Sequence, residues 1–379
     1  MRQTQVLIVG GGPASSALAM TIDPSVQVTI IEKRDLFSDE NFRKLEKSCG
    51  GMLDHAAQDQ LAHMGIGLPE KVLRGPQPLT VRAIDLENHR ERTYRRNYLN
   101  IDRVMFDRML LERAEGRENV TVLTGANVHK IRETKKAVYA SVRLKDGSQV
   151  EYRCSMLVGA DGASSMVKED LERRKARAGH PTPKSSLPKT YLSIQEWFEV
   201  DKQIPYYVAL FDERVTDYYS WVIPKGNQIL VGAAMPADNK TKKRFEQLKF
   251  DLQEKGFDLS RPVKRRGAVI MRPRAFGSVH TGRNRIFLIG EAAGLISPSS
   301  SEGISFALRS GEALAKAMKG FSIKEGKESL AIAALIRRRY EDRIMPLELS
   351  IMLKSAKAIP MYNRFLRGFI FMTGLTAVK

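Results

Sequence analysis

Cysteine, long apolar runs and metal-ligand clusters are all scarce in this chain. It has two cysteines in 379 residues, which excludes a disulfide scaffold and fits a reducing, cytoplasmic location. No apolar run is long enough for a membrane-spanning helix, and the short one near the N-terminus does not reach the length of a signal peptide. The six histidines are scattered without zinc-ligand spacing, so we expect no metal site.

Acidic side chains are also few for a chain of this size. The sequence has 43 Asp and Glu against 62 Lys and Arg, a formal net charge of +19. Such a positive field favours anionic partners, such as nucleic acid, a phosphorylated cofactor or an anionic membrane. The sequence contains no zinc finger, RNA-recognition signature or clear helix-turn-helix pattern, so we expect no nucleic-acid partner.

The first 33 residues have the pattern of a strand, a glycine-rich turn, a helix and a second strand. The apolar run QVLIV leads into GGGPAS at residues 10–15, and the second strand ends near Glu32. Glycines let a backbone approach a pyrophosphate, and the helix that follows presents free amides and its positive dipole end. Glu32, 20 residues after Gly12, is spaced to accept a hydrogen bond from a ribose. The pattern predicts a dinucleotide site, with a purely structural turn as the alternative.

Two later segments repeat the combination of a strand, a glycine and an acid. In GADGASSMVKEDL (159–171), Asp161 is a candidate for bonding a ribose or an amide, and a plain Asp-Gly turn that caps a helix is the alternative. In GEAAGLISPSSSEGISFAL (290–308), Glu291 follows an apolar strand and the EGI run opens a helix. The order of the three segments along the chain is more specific than any one of them.

Taken in order, these segments resemble the group A flavoprotein monooxygenase superfamily, which includes aromatic hydroxylases, flavin halogenases and geranylgeranyl reductases. That family has a GxGxxG turn, an ADGxxSxVR segment and a late GDx6P segment; here Lys168 replaces the last Arg of the second, and Glu291 the Asp of the third. IDRVMFDRML also resembles the family's R-x-x-F-D-x-x-L helix, in which the Arg meets the FAD phosphates, with a solvated Arg103 as the alternative. The resemblance implies that FAD is bound by Gly10, Gly12, Pro13, Ala14, Ser15, Glu32, Lys33, Cys49, Gly50, Gly51, Arg103, Asp161, Gly162, Gly290, Glu291, Pro298, Glu302, Gly303 and Ile304.

The resemblance also implies an α/β fold of the p-hydroxybenzoate hydroxylase type. Residues 1–78, 98–182 and 268–320 are expected to form a Rossmann-like FAD-binding domain. Short β-like segments between 190 and 270 predict a mostly antiparallel sheet, with residues 79–97 and 183–267 as the substrate domain. Residues 321–379 are expected to be a basic, helical C-terminal region. The basic, Pro-rich stretch from 171 to 189 is interpreted as a surface loop or connection.

Two further segments favour the geranylgeranyl reductase branch of the superfamily. KSCGGML (47–53) resembles the K-x-C-G-G segment of those reductases, which lies by the flavin ring. YYSWVIPKGNQILVG (218–232) resembles their Y-x-W-x-F-P-K-G segment and the V-G strand after it, although Ile223 replaces Phe. Halogenases carry W-x-W-x-I-P here, and Tyr219 replaces the first Trp, which disfavours that branch.

The resemblance therefore implies reduction of C=C bonds in a prenyl or other hydrophobic polyunsaturated substrate. The reaction needs a hydride from N5 of the reduced flavin and a proton, with NAD(P)H or a ferredoxin-type protein as the electron donor. The alternative is an NAD(P)H-dependent hydroxylase of an aromatic or hydrophobic small molecule, followed by a halogenase and by a non-catalytic flavin-binding protein. The substrate's identity and the oligomeric state stay open.

Cys49, Tyr219 and Trp221 are the candidate catalytic residues. Tyr219 and Trp221 occupy alternating strand positions and share a face, as a wall over an apolar pocket requires, and plain core packing is the alternative. Gly50 and Gly51 are interpreted as a close approach of backbone to the flavin ring. The Cys49 thiol either supplies a proton during reduction or only fills space.

The C-terminal residues 351–379 combine five basic residues with many apolar ones and contain no acid. Such a composition is typical of a segment that lies on an anionic membrane surface, here the inner face of the membrane. The alternative is a helical cap over the substrate domain.

Overall fold

The chain is divided into two compact units in the computed structural model, which describes residues 1–183, 187–273, 277–326 and 328–374. The first unit consists of Met1–Glu46, Val104–Pro188 and Pro273–Met352. The second consists of Lys47–Arg103, Lys189–Arg272 and Leu353–Lys379. The units group residues 47–78 and 98–103 with the antiparallel sheet, whereas the sequence analysis assigned them to the FAD-binding domain. The functional domain boundaries stay a prediction.

Both units contain helices and strands. The α-helices of the described residues are α1 (Pro13–Thr21), α2 (His55–His63), α3 (Arg103–Glu115), α4 (Met166–Arg177), α5 (Thr241–Glu254), α6 (Ile304–Met318), α7 (Ser329–Tyr362) and α8 (Arg364–Thr373). The strands are β1 (Arg2–Val9), β2 (Val28–Glu32), β3 (Met52–Leu53), β4 (Thr80–Asp85), β5 (Arg90–Arg95), β6 (Leu99–Asn100), β7 (Val120–Thr124), β8 (Asn127–Glu133), β9 (Val138–Arg143), β10 (Gln149–Gly159), β11 (Lys189–Glu199), β12 (Tyr207–Phe211), β13 (Ser220–Lys225), β14 (Gln228–Pro236), β15 (Arg261–Arg272), β16 (Gly282–Arg283) and β17 (Ile286–Leu288).

The sheet of the first unit has the order β16-β17-β10-β1-β2-β7, with β8 and β9 attached through β10. Its central strands β17, β10, β1, β2 and β7 are parallel to one another. At the margins, β16 pairs antiparallel with β17, and β9 pairs antiparallel with β10. All five residues of β2 and the last four of β1 are buried, as expected for parallel strands that are covered on both faces. This is the Rossmann-like sheet that the sequence predicts.

Small residues in α1 serve a close contact with α6. A Cβ added to Gly311 would lie 2.1 Å from the carbonyl oxygen of Ala14, so the two helices touch through backbone atoms. The fully buried Ser15 is accommodated because its hydroxyl donates to the carbonyl oxygen of Gly12 at 2.7 Å. The small residues of α1 therefore allow a close helix–helix contact.

The predicted loop from 171 to 189 is wrong for its first seven residues, which belong to α4. Ser165 caps this helix, because its hydroxyl accepts from the backbone amide of Lys168 at 3.0 Å. Val167 and Leu171 are the buried positions, and the remaining surface is largely charged. A narrow apolar stripe of this kind does not stand out as a helical period. Residues 184–186 of the predicted loop lie outside the described residues.

The sheet of the second unit has the order β15-β11-β14-β13-β12-β4-β5. Every neighbouring pair is antiparallel except β12 and β4, which are parallel. Alternate residues of β13 face two different apolar clusters: Val222 packs in one, and Trp221 and Ile223 in the other. The sheet is therefore buried on both faces.

Two helices, α7 and α8, end the described chain. The prediction of an α/β fold with a Rossmann-like domain, a mostly antiparallel sheet and C-terminal helices is confirmed. Within the described ranges, no helix is both long and apolar enough to cross a membrane.

Candidate functional site

The glycine turn after β1 is shaped by backbone contacts. Gly10 has φ +102°, and a Cβ there would lie 2.5 Å from the carbonyl oxygen of Ala160, so only glycine fits. At Gly12, by contrast, no described atom lies within 4 Å of the position of a Cβ. Gly12 is the N-cap of α1 and gives it no side-chain cap. Pro13 and Ala14 follow Gly12 as the first residues of this nine-residue helix. The turn therefore combines open space with the amide end of a helix, which is a suitable place for a phosphate group.

Glu32, at the end of β2, is held by four hydrogen bonds. Its Oε2 accepts from the amide of Gly11 at 2.5 Å and from Arg34 Nη2 at 3.3 Å. Its Oε1 accepts from the amide and the Nε of Arg34, at 2.7 and 3.0 Å. Four donors fill the lone-pair sites of a carboxylate, so a ribose hydroxyl must replace the longest of these bonds.

Arg34 joins Glu32 to Asp107 in a buried ion network. Its Nη1 lies 2.7 Å from Asp107 Oδ2, and all three side chains are buried. Burial by itself raises the pKa of Glu32, but the Arg34 guanidinium and the Gly11 amide outweigh it, so the pKa lies below the ordinary value. The sequence analysis chose Lys33, which the structure places on the surface. Side chains alternate between the two faces of a strand, so residues two apart lie on the same side. This alternation could have indicated that Arg34 lies on the same side as Glu32.

The two carboxylate oxygens of Asp161 have different surroundings. Its Oδ2 accepts from the backbone amides of Met166 at 2.8 Å and Val167 at 3.4 Å, so it caps the start of α4. Its Oδ1 is buried and has no hydrogen-bond partner among the described residues. Burial raises the pKa of Asp161 above its ordinary value, as an incompletely paired carboxyl requires. Gly162 follows with φ +80°, which turns the chain away from the strand.

The third predicted segment folds into a short turn and the start of α6. Gly290 begins a 3₁₀ helix (Gly290–Ala293) in which Glu291 is half-buried, and the amide of Gly290 donates to Ser310 Oγ at 2.9 Å. Pro298 is buried, and the half-buried Glu302 accepts from Ser300 Oγ at 2.8 Å. Gly303 is the N-cap of α6 and provides no side-chain cap, so the helix that begins at Ile304 offers its first amides to a ligand.

These features of the first unit fit a dinucleotide. Two helix N-termini, those of α1 and α6, begin at glycines without a capping side chain, and one buried carboxylate oxygen of Asp161 has no described partner. Orphan amides bind phosphate oxygens, and a carboxylate accepts from ribose or ribitol hydroxyls. The role of each residue in cofactor binding stays a prediction.

In the second unit, the half-buried Cys49 lies beside Arg103. Cys49 Sγ accepts from Arg103 Nη1 and from the amide of Gly51, each at 3.4 Å. Burial raises the pKa of Cys49, but the charge of Arg103, the Gly51 amide and the charge of Lys47 outweigh it, so the thiol pKa lies below its ordinary value. Arg103, predicted to meet FAD phosphates, is buried, and its charge lowers the pKa of the Cys49 thiol.

The glycines after Cys49 are explained by the chain's own packing. A Cβ on Gly50 would lie 2.6 Å from Ile223 Cδ1, and one on Gly51 would lie 2.5 Å from the carbonyl oxygen of Ile101. Gly51 also has φ +62°, where side chains are disfavoured. Gly51 is therefore required by its own backbone surroundings. At Gly50 the contact is with the movable end of the Ile223 side chain, so the interpretation that this glycine makes room for a flavin ring stays a prediction.

Lys225 fastens the Cys49 loop to the end of β6. Its ammonium donates to the carbonyl oxygen of Gly51 at 3.2 Å, to Asn100 Oδ1 at 2.5 Å and to the carbonyl oxygen of Ile101 at 2.9 Å. The two segments that resemble geranylgeranyl reductases, far apart in sequence, thus meet within one unit. The sequence analysis quoted Lys225 as a motif match but gave it no role.

Tyr219 and Trp221 lie together on one face, as predicted. Their ring centroids are 5.3 Å apart, and they pack among Tyr98, Tyr207 and Tyr218. Burial, and then the neighbouring tyrosines, raise the pKa of Tyr219 well above its ordinary value, so its hydroxyl stays neutral.

The indole of Trp221 requires the glycine of the next strand. Trp221 pairs with Gly232, where an added Cβ would lie 2.4 Å from Trp221 Nε1. The same Nε1 is buried without a hydrogen-bond partner among the described residues. The V-G match in β14 therefore has a structural cause, and the aromatic face contains one donor that is available to a ligand.

Residues 3–339 of this chain match the sequence model of a protein family whose description is "FAD binding domain". The chain belongs to the FAD binding domain family. The family supports FAD as the cofactor and places the chain among FAD-dependent oxidoreductases and monooxygenases.

One curated protein and two solved structures illustrate what the chain is similar to. Protein CbrA of Escherichia coli O1:K1 is 36% identical over 316 residues, which cover 83% of this chain and 81% of that protein. A geranylgeranyl bacteriochlorophyll reductase-like protein from Thermoplasma acidophilum has a similar fold, with a TM-score of 0.77, 19% identity and coverage of 96% of this chain and 88% of that one. The flavin-dependent brominase Bmp2 is similar at a TM-score of 0.68 and 17% identity, with coverage of 98% and 90%. At these identities the two solved structures show the fold alone.

Proposed function

We propose that this protein is an FAD-dependent reductase of C=C bonds in a prenyl or other hydrophobic polyunsaturated substrate. The observation that carries the proposal is the contact of Lys225 with the Cys49 loop, at 3.2 Å from the carbonyl oxygen of Gly51. It joins the two segments that resemble geranylgeranyl reductases. The name of the Thermoplasma acidophilum neighbour agrees, although that likeness extends to the fold alone.

When bound and reduced, FAD supplies a hydride, and the reduction of an alkene needs one proton in addition. The net change is the addition of two hydrogens across the double bond, with the two electrons coming from NAD(P)H or a ferredoxin-type donor. Cys49 is the proposed source of the proton. A general acid works best when its pKa lies near the working pH, and the lowered pKa of Cys49 moves it from the alkaline range in that direction.

Arg103 is proposed to set the protonation state of Cys49. Its guanidinium, 3.4 Å from Sγ, stabilises the thiolate that remains after the proton has left. Lys225 is proposed to keep the loop in place while the charge on Cys49 changes, because three acceptors hold its ammonium.

The aromatic face around Tyr219 and Trp221 is proposed to contact the hydrophobic substrate. Aromatic rings provide apolar surface that excludes water, and the neutral hydroxyl of Tyr219 adds a hydrogen-bonding group. This residue set suits a hydrocarbon chain better than a charged metabolite.

The test is a single-turnover reduction under anaerobic conditions. FAD-loaded protein is reduced with dithionite and mixed with a prenyl-lipid extract, and mass spectrometry is expected to show products heavier by about two mass units per reduced bond. The variant Cys49→Ala is expected to retain FAD and to lose most of the product. Cys154→Ala is the matched control, because Cys154 lies in the core of the first unit. This variant is expected to leave product formation unchanged.

Two outcomes contradict the proposal. Protein that is colourless and binds no added FAD is not a flavoenzyme. If NAD(P)H-dependent oxygen uptake is stimulated by an aromatic compound while the lipid extract stays unreduced, the protein is a hydroxylase.

A further inference from the structure

The last helix, α8, buries an arginine and exposes phenylalanines, the reverse of an ordinary surface helix. Its arginine, Arg367, is only 3% exposed, whereas Phe365 is 82% exposed and Phe369 is 53% exposed. A surface helix of a globular protein normally turns its apolar residues inward and its charges to water. The reversed arrangement needs an explanation, because a large apolar side chain gains nothing from contact with water.

The inner side of α8 is fixed by ion pairs and hydrogen bonds to the β4–β5 hairpin. Arg367 Nε donates to Asp85 Oδ2 at 2.8 Å, and Arg367 also pairs with Glu87. Arg90 Nη1 donates to the carbonyl oxygen of Gly368 at 2.6 Å, and Arg92 Nε to that of Phe371 at 2.6 Å. Rotating the helix to hide its phenylalanines would leave buried carboxylates unpaired, which is costly.

The opposite side of α8 is a continuous apolar strip, called here the outer face. Its members are exposed and recur at the spacing that places residues on one side of a helix: Phe365, Leu366, Phe369 and Met372. Exposed Leu353 and Ile359 add apolar surface on the end of α7 that belongs to the same unit.

The charged residues of the segment that carries the outer face are all basic. Residues 351–379 contain no Asp or Glu, and Lys357 and Arg364 are exposed. The whole chain has a net charge of +19. Two copies of such a chain repel each other, while a surface of anionic lipid headgroups attracts each copy.

We propose that the outer face of α8, together with the exposed apolar residues at the end of α7, is a docking surface for an anionic phospholipid bilayer. The phenylalanines insert at the boundary of headgroups and acyl chains, and the basic residues contact the lipid phosphates. The helix lies on the membrane and does not cross it. This inference is independent of the proposed reaction, since no residue of the Cys49 loop takes part.

The experiment is sedimentation of the full-length protein with large vesicles. Vesicles of phosphatidylcholine with phosphatidylglycerol are expected to pellet the protein, whereas vesicles of phosphatidylcholine alone are expected to pellet much less of it. The double variant F365S/F369S is expected to reduce the partition coefficient at least about tenfold, because it removes two inserted aromatic rings. Added salt is expected to weaken binding, because it screens the lipid charge.

Phe250→Ser is the matched control. Phe250 lies on α5 of the same unit and is 57% exposed, so its loss removes a comparable exposed ring away from the outer face. It is expected to leave vesicle binding unchanged. Circular dichroism and the thermal midpoint are compared among wild type and both variants, and the substituted residues are exposed, so all three are expected to be equally folded.

Three results overturn the proposal. They are failure of the wild type to pellet with anionic vesicles, equal pelleting of wild type and F365S/F369S, and an equal loss of binding in Phe250→Ser. Analytical ultracentrifugation is run in parallel without lipid. A dimer that F365S/F369S dissociates, in protein that does not bind vesicles, assigns the outer face to a second copy of the chain and also overturns the proposal.

Discussion

The two units hold their candidate residues in place by different physical means. In the first unit the backbone does so: Gly10, Gly12 and Gly303 form turns at the ends of strands and the starts of helices. In the second unit charged side chains do so, as Lys225 and Arg103 fix a loop that is remote from Lys225 in sequence. A site made by local turns is visible in a sequence, and a site made by distant side chains is not.

The two cysteines show the same contrast. Cys154 lies in β10 within the apolar core of the first unit, where burial raises its pKa. Cys49 lies in the second unit beside a guanidinium, and its pKa is lowered. An identical side chain is therefore inert in one region and poised to ionise in the other, because the surrounding charges differ.

The substitution Gly10→Val is expected to have the largest effect, and it breaks the backbone side of the comparison. A side chain at φ +102° that also overlaps the carbonyl oxygen of Ala160 is expected to cost about 3–5 kcal/mol of unfolding free energy. FAD content after reconstitution and the thermal midpoint measure the result.

Gly116→Ala is the control for that substitution. A Cβ at Gly116 makes only ordinary contacts at 3.6 Å, and the residue lies in the same unit. If Gly10→Val retains wild-type stability and FAD content, the turn is not held by backbone geometry.

Lys225→Met is expected to have an intermediate effect. It tests whether a charged side chain holds the candidate residues of the second unit in place. Loss of a charged donor to three oxygens is expected to lower the unfolding free energy by about 2 kcal/mol. It is also expected to slow alkylation of Cys49 at neutral pH, because a loosened loop no longer keeps Sγ beside Arg103. Denaturant unfolding and a timed iodoacetamide reaction provide the two measurements.

Lys202→Met is the control, because Lys202 is an exposed lysine of the same unit. It removes one positive charge from the second unit without touching the loop. Equal losses in both variants indicate a general charge effect and contradict the role of Lys225.

The pH profile of cysteine alkylation is the smallest effect and compares the two regions directly. In Cys154→Ala the reaction of Cys49 is expected to rise at a lower pH than for an ordinary thiol, because its pKa is lowered. In Cys49→Ala the remaining Cys154 is expected to react at least about tenfold more slowly in the folded protein, because it is buried and protonated.

The sign of the linked stability change follows from the same pKa. The folded-state pKa of Cys49 lies below that of the unfolded chain, so its contribution to stability is complete above the unfolded value. It disappears as the pH falls through the folded value. If the alkylation of Cys49 rises at the same pH as that of a free thiol, or at a higher pH, the contrast between the two regions is contradicted.

Much of the first unit could be predicted because its signals are local. Apolar runs followed by glycines predicted β1, β10 and β17, and β2 was predicted from an apolar run that ends at Glu32. Local signals failed where a side chain's partner lies elsewhere. Lys33 and Arg34 are adjacent basic residues, and only the fold shows that Arg34 reaches Asp107 while Lys33 is exposed.

The second unit was predicted in outline but not in mechanism. Short β-like segments predicted its antiparallel sheet, while α5 was missed. Gly51 was attributed to a ligand, whereas its positive φ and the carbonyl oxygen of Ile101 already require a glycine there. Contacts between residues far apart in sequence have no local pattern to reveal them.

The sequence by itself determined the family, the α/β architecture and the types of residue at the candidate sites, because strand periodicity and glycine turns are local properties of a chain. Only the tertiary structure decided which charges meet. It placed Arg103 on Cys49 and joined Lys225 to the same loop. It also turned Phe365 and Phe369 of α8 outward by burying Arg367 against Asp85. The pairing of charges is set by distances in the folded state, and a linear sequence does not contain those distances.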